Sequence, residues 1–343
     1  MSKLKVLFRA DASSKIGGGH VMRCIALAQE LKLQGFDIIF VARHLFAQME
    51  LNLANNGISC KMIESDDLLA DAKETIAIAK SFEVEWVVLD GYRFVDTYQK
   101  EIKGAGYKLL CIDDIAETKY VTDIVVNQNP WVDVSDYQHD GSKMLLGTKY
   151  ALVRNEFLHL SPGEKNGDIR KVLVNLGAGM ATAEGIIALV SAIDQAIEEK
   201  IEIDVLTGMN GMLMDNLEKM KSRSKHKIRF IGADKFSPEI ERNADMAISA
   251  AGSTLWELAY FKVPTLTVVI AQNQLPIAES LDQKKCCVNM GWLDQLNTDG
   301  MVEMIKRIYK DKIFRHQLAD NFGNLVDGEG RKRVVSEMRE MSE

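Results

Sequence analysis

The chain is poor in the residues that mark an oxidising, membrane-spanning or polyanion-binding protein. Five cysteines, Cys24, Cys60, Cys111, Cys286 and Cys287, are spread over 343 residues. They form neither a C-x-x-C pair nor the spacing of a disulfide framework, which argues against a stapled scaffold or a structural zinc site and predicts a cytoplasmic protein. No apolar run approaches the roughly 20 residues of a membrane span, and the first strand begins almost at once, so neither a span nor a leader segment is expected. Excess positive charge is also missing. Forty-two Lys and Arg stand against 49 Asp and Glu, a net charge of -7, and the basic residues are scattered, so nucleic acid is not an expected partner. No G-x-x-x-x-G-K-[ST] or G-x-S-x-G sequence occurs, which excludes P-loop and serine-hydrolase readings.

What is present is an alternation of short apolar runs with helical patterns. Lys5–Arg9, Ile38–Val41, Trp86–Asp90, Lys108–Asp113 and Ile124–Val126 read as strands, several ending in Asp or Asn. Continuous apolar strands belong to a parallel sheet covered on both faces, with polar groups gathered at the carboxyl ends. The pattern restarts at Lys171–Gly177 and continues through 201–206, 228–232, 246–249 and 265–269. The expected fold is α/β, with two Rossmann-like domains facing a cleft: 1–150, a polar linker 151–168, 169–325, and a terminal helix 326–343 packing back on the first domain.

The stretch Ile16-Gly17-Gly18-Gly19-His20-Val21-Met22-Arg23 sets an imidazole where a glycine turn becomes a helix. Val21, Cys24, Ile25, Ala28 and Leu31 recur at helical spacing until Gly35. A helix N-terminus carries partial positive charge and disfavours imidazolium, so His20 is a candidate general base. The competing reading is a structural histidine bonded to backbone. His and Arg follow the glycines where a dinucleotide loop keeps a third glycine, which excludes hydride transfer on this loop. The remaining histidines show no metal-ligand spacing, and neither a metal nor a cofactor is expected.

A second segment, Ser249-Ala250-Ala251-Gly252-Ser253-Thr254-Leu255-Trp256-Glu257, runs from a strand end through small residues into a helix. Small residues admit a close ligand, the helix start offers N–H groups to phosphate, and Ser253 and Thr254 add hydroxyls. Glu257 is placed to hold vicinal hydroxyls of a ribose. The plainer alternative is a Ser/Thr cap on a core helix. Asn273 and Gln274, amides that both donate and accept, suit sugar recognition or an ordinary loop. Asp113-Asp114 reads either as a carboxylate or metal pair or, preferably, as turn-capping residues. Tyr92 is read as lining the cleft or as packing.

Taken in order, these segments resemble the UDP-2,4-diacetamido-2,4,6-trideoxy-β-L-altropyranose hydrolases of pseudaminic acid biosynthesis and their spore-coat polysaccharide relatives. The likeness extends through Arg9–Ser13, Ile16–Cys24, Asp90–Tyr92, Ile112–Asp114, Gln128-Asn129, Tyr150–Arg154, Ala251–Glu257, Asn273-Gln274 and Val326–Gly330. It implies the GT-B architecture of one large glycosyltransferase class. It further implies nucleotide binding by Gly252, Ser253, Thr254 and Glu257, and sugar contacts from Asp11, Gly19, Arg23, Tyr92, Asn273 and Gln274. Water activated by His20 would then attack the anomeric carbon and expel UDP, with inversion. A glycosyltransferase of the same fold and a non-catalytic nucleotide-sugar binder are the alternatives. The loop Gly177-Ala178-Gly179-Met180, and Gly18 and Gly91, depart from the commoner choices of that family.

Overall fold

In this computed structural model, which describes residues 4–13, 16–165, 167–177, 183–207 and 214–342, the apolar runs become strands buried on both faces. Val6, Leu7 and Phe8 are fully buried, as are Val172, Leu173 and Val174 in the second series. In chain order the strands are β1 (Lys5–Ala10), β2 (Asp37–Ala42), β3 (Ser59–Met62), β4 (Trp86–Asp90), β5 (Lys108–Ile112), β6 (Lys119–Tyr120), β7 (Ile124–Asn127), β8 (Gln138–His139) and β9 (Lys143–Leu146). A second set follows: β10 (Lys171–Asn175), β11 (Glu202–Thr207), β12 (Lys227–Gly232), β13 (Met246–Ala250), β14 (Thr265–Val269) and β15 (Val288–Trp292).

Two sheets result, in the orders β3-β2-β1-β4-β5-β7-β9 and β12-β11-β10-β13-β14-β15, while β6 and β8 pair separately. The pairings in both sheets are parallel. In each sheet the chain first winds outward one way from its first strand and then returns to its other side. Ligands of doubly wound sheets bind at that reversal, beyond the strand carboxyl ends. The reversals fall between β1 and β4, and between β10 and β13.

The chain divides into two compact units, Met1–Asn155 with Gly328–Glu343, and Glu156–Asp327. The segment 151–168 is thus split at Asn155, and the terminal helix Gly330–Glu340 belongs with the first unit. Val334, Val335 and Met338 of that helix are fully buried in the core formed by β1, β4 and the helix α1 (Gly19–Leu33). Gly330 is required there. A Cβ on it would stand 2.3 Å from the Ala151 carbonyl oxygen and 2.6 Å from the Tyr150 carbonyl carbon, against backbone that cannot yield.

One charge cluster is sunk in the core of the first unit. Arg9, fully buried in β1, donates to both carboxylate oxygens of Asp71 at 3.1 and 2.7 Å and to Asp11 at 2.8 Å. Tyr98 adds a hydroxyl bond to Asp71 at 2.8 Å. Buried charges persist only when paired in this way.

Candidate functional site

Gly17 makes the turn before α1, with φ +78 and its N–H on the Ser13 carbonyl at 2.7 Å. Gly19 is then the first residue of the helix and His20 the second. The sheet supplies the partner of the imidazole. Ala10 at the end of β1 is in register with Asp90 at the end of β4, so a carboxylate stands beside the loop that leads to His20. His20 Nδ1 lies 2.6 Å from Asp90 Oδ1, and His20 is 6% exposed. A carboxylate only accepts, so Nδ1 carries the shared proton and Nε2 of the neutral ring is left as the basic atom. His20 is therefore held by a side chain, not by backbone, and the helix end is only part of its surroundings.

Arg23, one turn along α1, fixes the same carboxylate. Its Nε donates to Asp90 Oδ2 and its Nη2 to Asp90 Oδ1, both at 2.6 Å, while Nη1 reaches Asp114 Oδ2 at 3.2 Å. Burial works to raise the Asp90 pKa, but Arg23 and His20 outweigh it and hold the carboxyl below its ordinary range. Burial likewise opposes the Arg23 charge, and Asp90 and Asp114 more than reverse that, so the guanidinium stays charged. The Cys24 thiol, pushed up first by burial and then by Asp90, keeps its proton and points it at Asp90 Oδ2, 3.6 Å away. Tyr92 sets its ring edge-on to His20, 5.0 Å between centroids, and its hydroxyl donates to Asp114 Oδ2 at 3.2 Å. Desolvation and Asp114 push the Tyr92 phenol up, so that donor is retained.

His20, Arg23 and Tyr92 are thus brought together with two carboxylates. Asp11 is placed differently: its Oδ1 takes Arg9 Nη1 at 2.8 Å and the backbone N–H groups of Arg43 and His44 at 2.7 and 3.1 Å. Those bonds tie the end of β1 to the end of β2. Asp113 caps a turn through the N–H groups of Ile115 and Ala116 and accepts from Tyr137, the structural duty favoured above. Among the described residues no His, Cys, Asp and Glu group is arranged to hold a metal ion, and no helix is long and apolar enough to cross a membrane. Asp90 is the functional candidate that sequence reasoning left as an ordinary strand-end residue. Its signal was the alignment of two parallel strand ends, which spacing along the chain does not reveal.

In the second unit, β13 ends at Ala250 and the helix Thr254–Tyr260 starts four residues later. Ser253 sits at its N-cap position without a side-chain cap bond, so the plain capping alternative is not realised by that hydroxyl. Gly252 lies close to the next strand's loop: a Cβ there would be 3.9 Å from Gln274 Nε2. Gln274 Oε1 accepts from the Ile270 N–H at 3.1 Å, which turns its amide nitrogen toward Gly252. Asn273 belongs to the same single turn, Gln272–Gln274, and Glu257 is partly buried one turn into the helix. Small residues, two hydroxyls, an amide and a carboxylate therefore collect at the carboxyl ends of β13 and β14. Of the glycine loop after β10, Ala178, Gly179 and Met180 lie outside the described residues.

No family model matches the chain. It is 25% identical over 286 residues to an uncharacterized protein of Methanocaldococcus jannaschii, covering 79% of this chain and 56% of that protein. It is 29% identical over 158 residues to the UDP-2,4-diacetamido-2,4,6-trideoxy-β-L-altropyranose hydrolase of Campylobacter jejuni, covering 45% of this chain and 53% of that protein. The chain spans about half the length of the curated relatives it matches. Among solved structures it is similar to Acinetobacter baumannii MurG, with a TM-score of 0.74 and 15% identity over 99% of this chain and 100% of that one. It is also similar to S. aureus MnaA bound to UDP, with a TM-score of 0.68 and 12% identity over 98% and 96%. The chain has the GT-B fold, an α/β architecture of two parallel-sheet units.

Proposed function

We propose that the chain is a nucleotide-sugar hydrolase that releases UDP and a free 2,4-diacetamido-2,4,6-trideoxy hexose, serving nonulosonic acid or surface polysaccharide synthesis. The observation that carries the reading is the Asp90–His20 pair. A histidine whose Nδ1 is pinned to a buried carboxylate, and whose neutral form leaves Nε2 without a proton, is built to take a proton from water. Water oxygen then bonds to the anomeric carbon, the bond from that carbon to the phosphate oxygen breaks, and UDP departs with the electron pair. Asp90 stabilises the imidazolium that forms, and Arg23 keeps Asp90 charged and fixed.

The leaving diphosphate is a weak base. Charge stabilisation at the helix start by the N–H groups and hydroxyls of Ser253 and Thr254, which Gly252 lets the diphosphate approach closely, suffices in place of a general acid. Glu257 holds the ribose, and Asn273 and Gln274 approach the sugar. The sequence likeness to the Campylobacter jejuni hydrolase supports this choice of sugar and nucleotide, as does the UDP in the MnaA structure.

The test is incubation with UDP-, CDP- and GDP-linked diacetamido-trideoxy sugars in ¹⁸O-water without any acceptor. The expected products are UDP free of label and an inverted sugar carrying the label on its anomeric hydroxyl. Product formed only when an acceptor hydroxyl is added would establish a transferase. Binding without turnover under either condition would establish a non-catalytic binder.

A further inference from the structure

The proposed reaction uses one side of the Arg23 cluster and leaves the other idle. Asp114 follows β5, and its Oδ2 accepts from Arg23 Nη1 and from the Tyr92 hydroxyl, each at 3.2 Å. Its Oδ1 has no hydrogen-bond partner among the described residues, although Asp114 is only 8% exposed. Buried carboxylate oxygens are normally satisfied, and an orphan one asks for a missing donor. Asp114 lines a cavity of about 230 Å³ together with His20, Arg23 and Tyr92. The rest of the wall is mixed, with an apolar part made by Leu89, Phe94, Val95, Ile112 and Ile115 and a polar part that includes Asp113, Glu117 and Thr118. A water molecule claims about 30 Å³, so this space suits a substituent larger than one solvent molecule.

We propose that Asp114 Oδ1 accepts a hydrogen bond from the amide N–H of an acylamino group on the bound sugar, at the ring carbon next to the anomeric carbon, and that the apolar wall takes the acyl methyl. The position rests on the hydrolase reading, because His20 borders this cavity and serves the anomeric carbon. The chemistry of the group follows from the walls. A carboxylate only accepts, so the sugar must donate. A hydroxyl donates but leaves the five apolar side chains uncovered, whereas an acylamino group presents a donor and a methyl together. Asp114 is then the residue that selects acylamino sugars over their hydroxyl counterparts.

Asp114→Asn tests this without emptying the site. Arg23 and Tyr92 both donate to the Oδ2 position, so the amide oxygen of the variant must stay there and its NH₂ must replace Oδ1. A donor then faces the sugar's donor. Wild type and variant are titrated calorimetrically with UDP, UDP-2,4-diacetamido-2,4,6-trideoxy-β-L-altropyranose, UDP-N-acetylglucosamine and UDP-glucose. The expected result is unchanged affinity for UDP, with loss of about 10- to 100-fold for the acylamino sugars and a smaller loss for UDP-glucose.

Three results overturn the assignment: equal weakening of UDP itself, no weakening of any ligand, or a wild type that gains nothing over UDP from an attached acylamino sugar. The hydrolase reading fails separately. Acylamino-dependent binding that requires Asp114, combined with no release of UDP in water, removes the hydrolase reading and leaves the Asp114 assignment standing.

Discussion

The two units share the order of six strands, with β9 added at one edge of the first sheet, and furnish the reversal point in opposite ways. Between β1 and β4 the first unit concentrates charge: His20, Arg23, Asp90 and Asp114 are each less than a tenth exposed and bonded to one another. Between β10 and β13, and on β14 beside it, the second unit offers Gly252, Ser253, Thr254 and Gln274, which are small or neutral. A charged cluster in a buried setting is held largely from within, and here Asp114 Oδ1 alone of its carboxylate oxygens has no partner among the described residues. A helix start built of small, uncharged residues has no such network to disturb when an anion approaches. On the proposed function, the same topology provides acid–base chemistry in one unit and an anion cradle in the other.

The sharpest way to break this division is to disable the first reversal point and read both functions. His20→Ala is expected to lower turnover by about 10²- to 10⁴-fold while UDP affinity stays within twofold, as measured by steady-state kinetics and calorimetry. Asp90→Asn is expected to cost a comparable factor and also to lower the melting temperature, because Arg23 loses its closest counter-charge. Loss of UDP binding in either variant would show that the functions are not divided between the units.

Gly330→Ala has the next largest effect and falls on stability. With backbone atoms of Tyr150 and Ala151 less than 3 Å from the new Cβ, overpacking by about 1–3 kcal/mol is expected in denaturant titrations. Glu257→Ala, on the neutral side, is expected to weaken UDP by roughly tenfold, about 1.4 kcal/mol, with the His20-dependent step unchanged. Reduced turnover at saturating substrate would move Glu257 out of the nucleotide role.

The smallest expected effect is on pH dependence. Burial raises the pKa of Asp11, and its bonds from Arg9 and two backbone N–H groups more than reverse that, leaving it lowered, as for Asp90. The unfolded chain therefore takes up these protons first as pH falls. The stabilisation is complete well above the unfolded carboxyl pKa of about 3.9 and is lost progressively below it. Melting temperatures followed from pH 6 to pH 2 should fall less steeply for Asp11→Asn than for wild type, and parallel curves would refute the assignment.

Much of the fold was legible because buried parallel strands must be apolar along their whole length. β1, β2, β4, β5, β7, β10, β13 and β14 correspond to such runs, while β11 and the edge strand β12, which carry the paired Asp204 and Arg229, were legible from their remaining apolar residues alone. β3, β9 and β15 escaped notice for a physical reason. Each closes an edge of its sheet, so Ser59–Met62, Lys143–Leu146 and Val288–Trp292 mix polar or small residues into partly exposed strands. The site divides along similar lines. His20 and Gly252 announce themselves through local turns that lead into helices. Asp90 and Asp114 become more than strand-end carboxylates only when the register sets Asp90 beside Ala10 and Ile112. Arg23, expected at the sugar, also holds Asp90, a role that depends on a contact 67 residues apart in sequence.

The helix Gly330–Glu340 belongs to the unit formed by the earliest part of the chain. A ribosome makes Lys5–Ala10 well before this helix, so the core beneath Val334, Val335 and Met338 must wait through the synthesis of the entire intervening unit before it closes. Glu156–Asp327, begun later, has all of its strands in hand sooner. The order of birth and the order of completion are thus reversed. During translation, the unit carrying His20 therefore stays open to chaperones and proteases longer than the unit inserted within it.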